Sequence, residues 1–373
     1  MSKVIHIICL DAPSPPDYGG VFDLYYKIPA LAALGNKIIL HYFDYKENRS
    51  ANGLEPYCLE IYKYPRAALV GSLLSHQPYI VSSRINQQLI ERLNSDDHPV
   101  FMEGIHCTGI LPYLNKNKKA MLRLHNNEAA YYEHLSKTEK HLLKRQYLKR
   151  EYKLLERYQG QLNKNLPLLT VSTTDLEAFK TRYGFNHLHF LPCFIPWQNI
   201  NGKTGKGSYC LYHGNMEVSE NREAALWLAN EVFAGSGHKL IIAGKNAAYL
   251  DQFIKGPEIS IENNPSDEGL TSLIRDAQVN VLPSFNVTGV KIKILHALFE
   301  GRFCLTNEAG INGSGLHGAE MIANDARSMI NAIDHLMEAA FTEADIMKRK
   351  EMMALYDNGK NAVQLNELLK HYL

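Results

Sequence analysis

Short apolar runs alternate with segments of helical period along the first half of the chain: VIHIICL at 4–10, KIILHYF at 37–43, PVFMEG at 99–104, KAMLRLH at 119–125 and LPLLTVS at 166–172. Runs that are apolar on both faces and spaced by helix-length segments predict parallel strands with crossover helices. The pattern breaks in PCFIPWQNINGKTGKGS at 192–208, whose two prolines and three glycines predict a linker. A second alternation follows: strands are expected at YCLYHG (209–214), KLIIAG (239–244), EISIEN (258–263), NVLPSF (280–285) and RFCLTN (302–307), with a helix from about Glu220. The expectation is α/β, with two doubly wound domains in tandem over 1–191 and 209–350, and a C-terminal helix over 351–373 free to pack back on the first domain. Ligands of open parallel sheets bind beyond the carboxyl ends of the strands, so the two domains are expected to face a central cleft.

A length of 373 residues suits this division. The 40 Lys and Arg against 39 Asp and Glu leave a net charge of +1, so no global field draws the chain to nucleic acid. No run approaches the roughly 18 apolar residues of a membrane span, and the N-terminal run is too short for a signal peptide, so a cytoplasmic address is expected. Six scattered cysteines form no Cys-x-x-Cys pair and read as small buried apolar residues. Asp-x-Asp, His-Glu-x-x-His and Gly-x-Ser-x-Gly are all absent, which removes the simplest metal and nucleophile chemistries. One local basic feature stands out: residues 133–158 carry eight Lys or Arg against four Glu at helical spacing. They read either as a solvated helix or as a helix lying on a membrane surface near a lipid-linked acceptor.

Three stretches carry candidate chemistry. In PPDYGG (15–20), Tyr18, Gly19 and Gly20 follow the first strand and open a helix, where backbone N–H groups approach a ligand. In VLPSFNVTGVKIKILHALFEGRFCLTN (281–307), Thr288 and Gly289 sit at a helix entrance, which is an anion site. Lys291 in that first turn is disfavoured by the helix dipole unless something negative binds beside it, and Lys293 points elsewhere on the helix, so Lys291 is the expected anion ligand. GSGLHG (313–318) satisfies the Gly-x-Gly-x-x-Gly dinucleotide fingerprint but follows a loop rather than a strand.

The segment with Pro283, Gly289, Lys291, Lys293, Leu295, Ala297 and Gly301 resembles the donor-binding helix of retaining glycosyltransferases of the family-4 type, which have the two-Rossmann GT-B architecture. YGG at 18–20, QPYIVSSR at 77–84, EGIH at 103–106, RLHNNEAAYY at 123–132, HGNMEVSENREAALWL at 213–228 and AGKN at 243–246 extend the likeness over nearly the whole chain. The resemblance implies transfer of a sugar from a nucleotide-diphosphate donor, held by the second domain, to a glycan or lipid-linked acceptor held by the first, with retention and neither cofactor nor metal. It implies donor contacts from Gly214, Asn215, Asn221, Lys245, Thr288, Gly289, Lys291 and Lys293, and places His125 and His106 at strand ends as candidate catalytic groups. Glu128, three residues past His125, reads instead as a first-turn helix acid. Two departures are evident. The E-x(7)-E pair of such enzymes is replaced by Thr288 and His296, and the Arg and Lys that clamp the diphosphate are replaced near Asn215 and Glu220-Asn221. A catalytically silent GT-B protein that binds a glycan or a partner subunit is the alternative those departures raise.

Overall fold

The computed structural model describes residues 3–17, 19–44, 49–68, 76–254, 256–316 and 321–373. The chain divides into two compact units, Met1–Pro196 with Tyr356–Leu373, and Trp197–Leu355. In the first, the order is β1 (Val4–Cys9), α1 (Gly19–Ala33), β2 (Lys37–Asp44), β3 (Cys58–Pro65), α2 (Tyr79–Ser82), α3 (Gln87–Asn94), β4 (Val100–Glu103), β5 (Ala120–Leu124), α4 (Glu128–Thr138), α5 (Leu142–Gln161), β6 (Leu168–Thr170), α6 (Thr173–Thr181) and β7 (Leu188–Phe190). The seven strands are all parallel in the order β3-β2-β1-β4-β5-β6-β7.

Alternation along the central strands feeds two cores, one on each face of this sheet. Met102, Leu122, Leu124 and Leu168 point to the side covered by Leu89, Leu155 and Phe179. Phe101, Met121 and Leu169 point to the side covered by α1 through Val21, Leu24, Ile28 and Leu31. The last helix, α13 (Asn358–Tyr372), closes that second core with Ala362, Leu365 and Leu369.

The second unit runs β8 (Cys210–His213), α7 (Ser219–Trp227), β9 (Leu240–Gly244), β10 (Ile259–Asn263), α8 (Asp267–Asp276), β11 (Val279–Val281), α9 (Ile292–Glu300), β12 (Phe303–Leu305), α10 (Glu308–Ile311), α11 (Ala326–Glu338) and α12 (Glu343–Met353). Its five parallel strands take the order β10-β9-β8-β11-β12. In both sheets the order reverses beside the first strand, at β1/β4 and β8/β11, which is where a doubly wound sheet opens its ligand crevice.

One helix and two strands differ from the sequence expectation. The stretch 133–158 is two helices rather than one. Glu139 is extended, its Oε1 accepts from His141 N at 2.9 Å, and His141 caps α5 by accepting from Lys144 N, so side chains satisfy the backbone that a continuous helix would have used. The strands β3 and β7 were not expected. β3 is a largely exposed edge strand with polar alternation, and β7 is only three residues long.

On the first sheet a buried polar chain joins β1, β2 and β3. His6 Nδ1 and His41 Nε2 lie 2.9 Å apart, His6 Nε2 is 3.1 Å from Asp96, and His41 Nδ1 is 3.0 Å from Tyr64 Oη. Burial, reinforced by His6, holds His41 well below the usual histidine value, and burial lowers His6 against the pull of Asp96. Unfolded histidines take up a proton below about pH 6.5 and these two resist, so their contribution is present above that pH and is lost as pH falls. Thermal midpoints should therefore drop on going from about pH 7 to about pH 5, and His41→Gln should flatten that slope. An unchanged slope in the variant would remove the histidine pair as its origin.

Candidate functional site

In the first unit, charged side chains that the apolar strands carry inward meet at the carboxyl ends of β4 and β5. Asp23 on α1 receives Arg123 Nε at 2.7 Å, Arg123 Nη2 at 2.8 Å, Lys27 Nζ at 2.7 Å and the Phe194 backbone N–H at 2.8 Å. Lys27 also reaches Glu103 at 2.6 Å, and Glu103 Oε2 lies 2.9 Å from His125 Nε2. Burial alone would raise Asp23, yet Arg123 and Lys27 outweigh it and hold the carboxyl well below its ordinary range. Glu103 is lowered in the same way, burial being overcome by Lys27 and by its hydrogen bond with His125.

Asp23, Glu103 and His125 are, among the described residues, the set with the spacing to ligate a metal ion. The Lys27 ammonium and the bidentate Arg123 guanidinium already supply positive charge to both carboxylates, so the donor set is matched to these side chains and does not fit a divalent cation.

His125 is the one part-exposed member of the cluster, and its nitrogens face carboxylates, Nδ1 lying 3.6 Å from Asp23. His106 sits just past β4 in a 3-10 turn entered through Gly104, whose φ of +83° favours glycine. Its Nδ1 is buried without a hydrogen-bond partner, and burial with Arg84 and Arg66 nearby keeps the ring neutral, well below the usual value. Glu128 opens α4, and burial together with Asp175 pushes its carboxyl up to about 8, so it is a hydrogen-bond donor at neutral pH. The loop after β1 is pinned by Arg49, which donates to Ala12 O at 3.1 Å and Pro15 O at 2.8 Å and pairs with Asp17 at 2.6 Å. Gly19 and Gly20 form the first turn of α1 as expected, and Tyr18 lies outside the described residues.

In the second unit the corresponding edge gathers the β8 end, the β9 end and the start of α9. Gly289 takes φ +66° and leads to Lys291, which is the N-cap of α9 rather than a member of its first turn. Its Nζ folds back on the carbonyls of Thr288 and Gly289. Thr288 is fixed by Asn286, whose Oδ1 accepts from both its N–H and its hydroxyl at 2.9 Å. Lys293 turns the other way and donates to Tyr212 Oη at 3.1 Å and to Asn221 Oδ1 at 3.0 Å. Asn221 in turn donates to Asn215 O at 2.9 Å, so Lys293, Asn221 and Asn215 form one cluster. Burial and the neighbouring Lys291 lower Lys293 to about 7.

Gly214 and Gly244 let β8 and β9 approach: a Cβ on Gly244, already at φ +142°, would stand 1.9 Å from Gly214 O. Lys245 is exposed and pairs with Glu217 at 3.0 Å, apart from the lysine cluster. His296 stacks on Trp197 with ring centroids 4.2 Å apart and is lowered to about 4, chiefly by burial. The described part of GSGLHG, Gly313–Leu316, follows the short helix α10 rather than a strand, so it lacks the setting of a dinucleotide fingerprint.

Asp23, Lys27, Glu103 and Arg123 were missed in sequence. The available signal was Asp23 and Lys27 at i,i+4 on an otherwise apolar helix, with single charges near the ends of two buried strands.

The fold is the one seen in solved GT-B glycosyltransferases. Similar solved structures include sucrose-phosphate synthase from Thermosynechococcus elongatus, 15% identical with TM-score 0.70, covering 99% of this chain and 98% of that one. A mutant of S. aureus TarM in complex with fondaparinux, alpha-GlcNAc-glycerol and UDP is 10% identical with TM-score 0.65 and 98% coverage of both chains. HepE from Anabaena in complex with UDP and glucose is 11% identical with TM-score 0.64, covering 99% of this chain and 100% of that one. Among curated sequences the chain is similar to an uncharacterized 44.6 kDa protein in the cps region of Klebsiella pneumoniae, 27% identical over 369 residues, or 91% of this chain and 94% of the relative. No family model matches.

Two outcomes follow from the site. Asp23→Asn leaves Arg123 and Lys27 without their shared counter-charge and should cost about 3–5 kcal/mol in denaturant unfolding. A cost below about 1 kcal/mol would show that the cluster is not held by that charge. Lys293, lowered to about 7 in the fold against 10.5 unfolded, penalises the fold fully below about pH 7, and the penalty fades up to about pH 10.5. The stability of Lys293→Met relative to wild type should accordingly fall as pH rises through that window, as measured by thermal unfolding. A difference independent of pH would contradict the shift.

Proposed function

We propose that the chain is a retaining, metal-independent glycosyltransferase that moves a sugar from a UDP- or GDP-sugar to a glycan or lipid-linked saccharide. The observation that carries this reading is the pair of lysines at the start of α9 in a GT-B second unit, Lys291 at the N-cap and Lys293 on the Tyr212–Asn221 cluster. A helix N-terminus disfavours cations and welcomes anions, so two lysines there set against each other are relieved by a bound diphosphate. UDP in the structures of two of the similar proteins supports the donor class. The cps-region relative supports a role in surface polysaccharide biosynthesis at the cytoplasmic face of the membrane.

In this reading the second unit holds the donor through the α9 N–H groups, Thr288, Gly289, Lys291 and Lys293, with Gly214, Asn215 and Asn221 shaping the floor. Lys293 takes the part of the clamp that family members place after the first strand of that domain, because Asn221 stands where the cation would be and passes the position to the lysine. The first unit holds the acceptor, and His125 keeps its charged neighbours in place beside the reacting centre. His106 and Glu128 offer one hydrogen-bond acceptor and one donor to sugar hydroxyls at neutral pH. The acceptor proton leaves with the departing diphosphate, so no carboxylate base is required, and the α9 amides and lysines stabilise the charge that develops there.

Thermal unfolding with saturating UDP, GDP, ADP and dTDP in turn tests the donor. A nucleotide at about 100 times its Kd adds about 2.7 kcal/mol to the native state, and one base should stand out. Lys291→Ala and Lys293→Ala should each weaken that nucleotide about tenfold or more. No shift with any of the four would favour the silent GT-B binding protein.

A further inference from the structure

The surface of α5 is not used by the site above. Its buried face is Leu148, Glu151, Leu155 and Gln159. At 100° per residue, Lys149, Lys153 and Arg157 fall about 100–180° around the helix from Leu148, and Arg145 begins the same row one turn earlier. Arg145, Lys149, Lys153 and Arg157 are thus spaced four residues apart, and all four are exposed. Successive charges stand about 6 Å apart along the axis, an i,i+4 like-charge repeat that weakens an isolated helix.

The acids of the helix do not neutralise the row. Glu151 is buried against Tyr79 N and Arg150, and Glu156 pairs with Arg182 and Tyr183. Gln146, Lys149, Arg150, Lys153, Leu154 and Arg157 line a shallow concavity of about 590 Å³ on this face. The first turn of the same helix exposes two consecutive leucines, Leu142 at 64% and Leu143 at 78%. No helix among the described residues is long and apolar enough to cross a membrane.

We infer that this face of α5 is a docking surface for an anionic lipid bilayer, with Leu142 and Leu143 entering the interface and the Arg145–Arg157 row lying along the headgroup phosphates. Cations alone would suit any polyanion. The paired exposed leucines at the head of the row fit a surface that has an apolar layer beneath its charge. The inference stands independently of the donor reading, since the bilayer contact uses none of the donor or acceptor residues.

Co-sedimentation of the full chain with phosphatidylcholine vesicles, with and without phosphatidylglycerol, tests it. Binding should need the anionic lipid and be lost at high salt. Lys149→Gln, Lys153→Gln and Arg157→Gln should weaken it about fivefold each. Leu142→Ser with Leu143→Ser should weaken it while leaving the salt dependence intact. All of these side chains are exposed, so the variants should keep the wild-type thermal midpoint, and nucleotide binding should be unchanged. Equal binding to neutral and anionic vesicles, full binding by the triple Gln variant, or retention on an acidic polysaccharide without binding to either vesicle would overturn the proposal.

Discussion

Asp23 is the point on which the first unit depends. Its carboxylate collects donors from its own helix through Lys27, from the central strand β5 through Arg123, and from the chain beyond β7 through the Phe194 N–H. Arg123 adds a bond to Pro192 O at 3.0 Å. Burying two acids and two bases is costly, and the cost is offset because Asp23 meets both Arg123 and Lys27 and Glu103 lies between Lys27 and His125. Such a cluster tolerates little displacement, which makes it a rigid anchor. It fixes where α1 begins relative to β4 and β5, and therefore where the Gly19-Gly20 turn, His125 and His106 stand at the carboxyl edge of the sheet.

The second unit solves the opposite problem. There Lys291 turns to carbonyls of its own loop and Lys293 to a tyrosine hydroxyl and an amide. Lys293, lowered to about 7 by burial and by Lys291, can take up a proton and with it positive charge when an anion approaches. The buried charges of the first unit instead hold one another in place.

The apolar rhythm of the chain made most of this architecture legible. Most strands announce themselves as short apolar runs, and ten of the twelve among the described residues are visible that way. The two that were not, β3 and β7, escape because an exposed edge strand and a three-residue strand have no such rhythm. The start of α9 was legible in outline, but the side-chain directions were not. One residue of difference in where the helix begins makes Lys291 a cap and turns Lys293 toward Tyr212, a residue 81 positions away in sequence. The charged cluster was hidden for the same reason: Glu103 and Arg123 each read as a lone charge near a strand end, and only the parallel register of β4 with β5 sets them side by side. The raised carboxyl of Glu128 likewise comes first from burial and then from Asp175, both of them set only by folding.

A diphosphate site at the α9 lysines would be visible in the protons exchanged on binding. Lys293 sits near pH 7 in the free protein, and an adjacent diphosphate would raise it, so binding at about pH 8 should draw a proton from the buffer. Titration calorimetry with UDP or GDP in buffers of different ionisation enthalpy measures that uptake. Close to one proton per nucleotide is expected in the wild type and almost none in Lys293→Met. Nucleotide binding without proton uptake, or the same uptake in the variant, would contradict it.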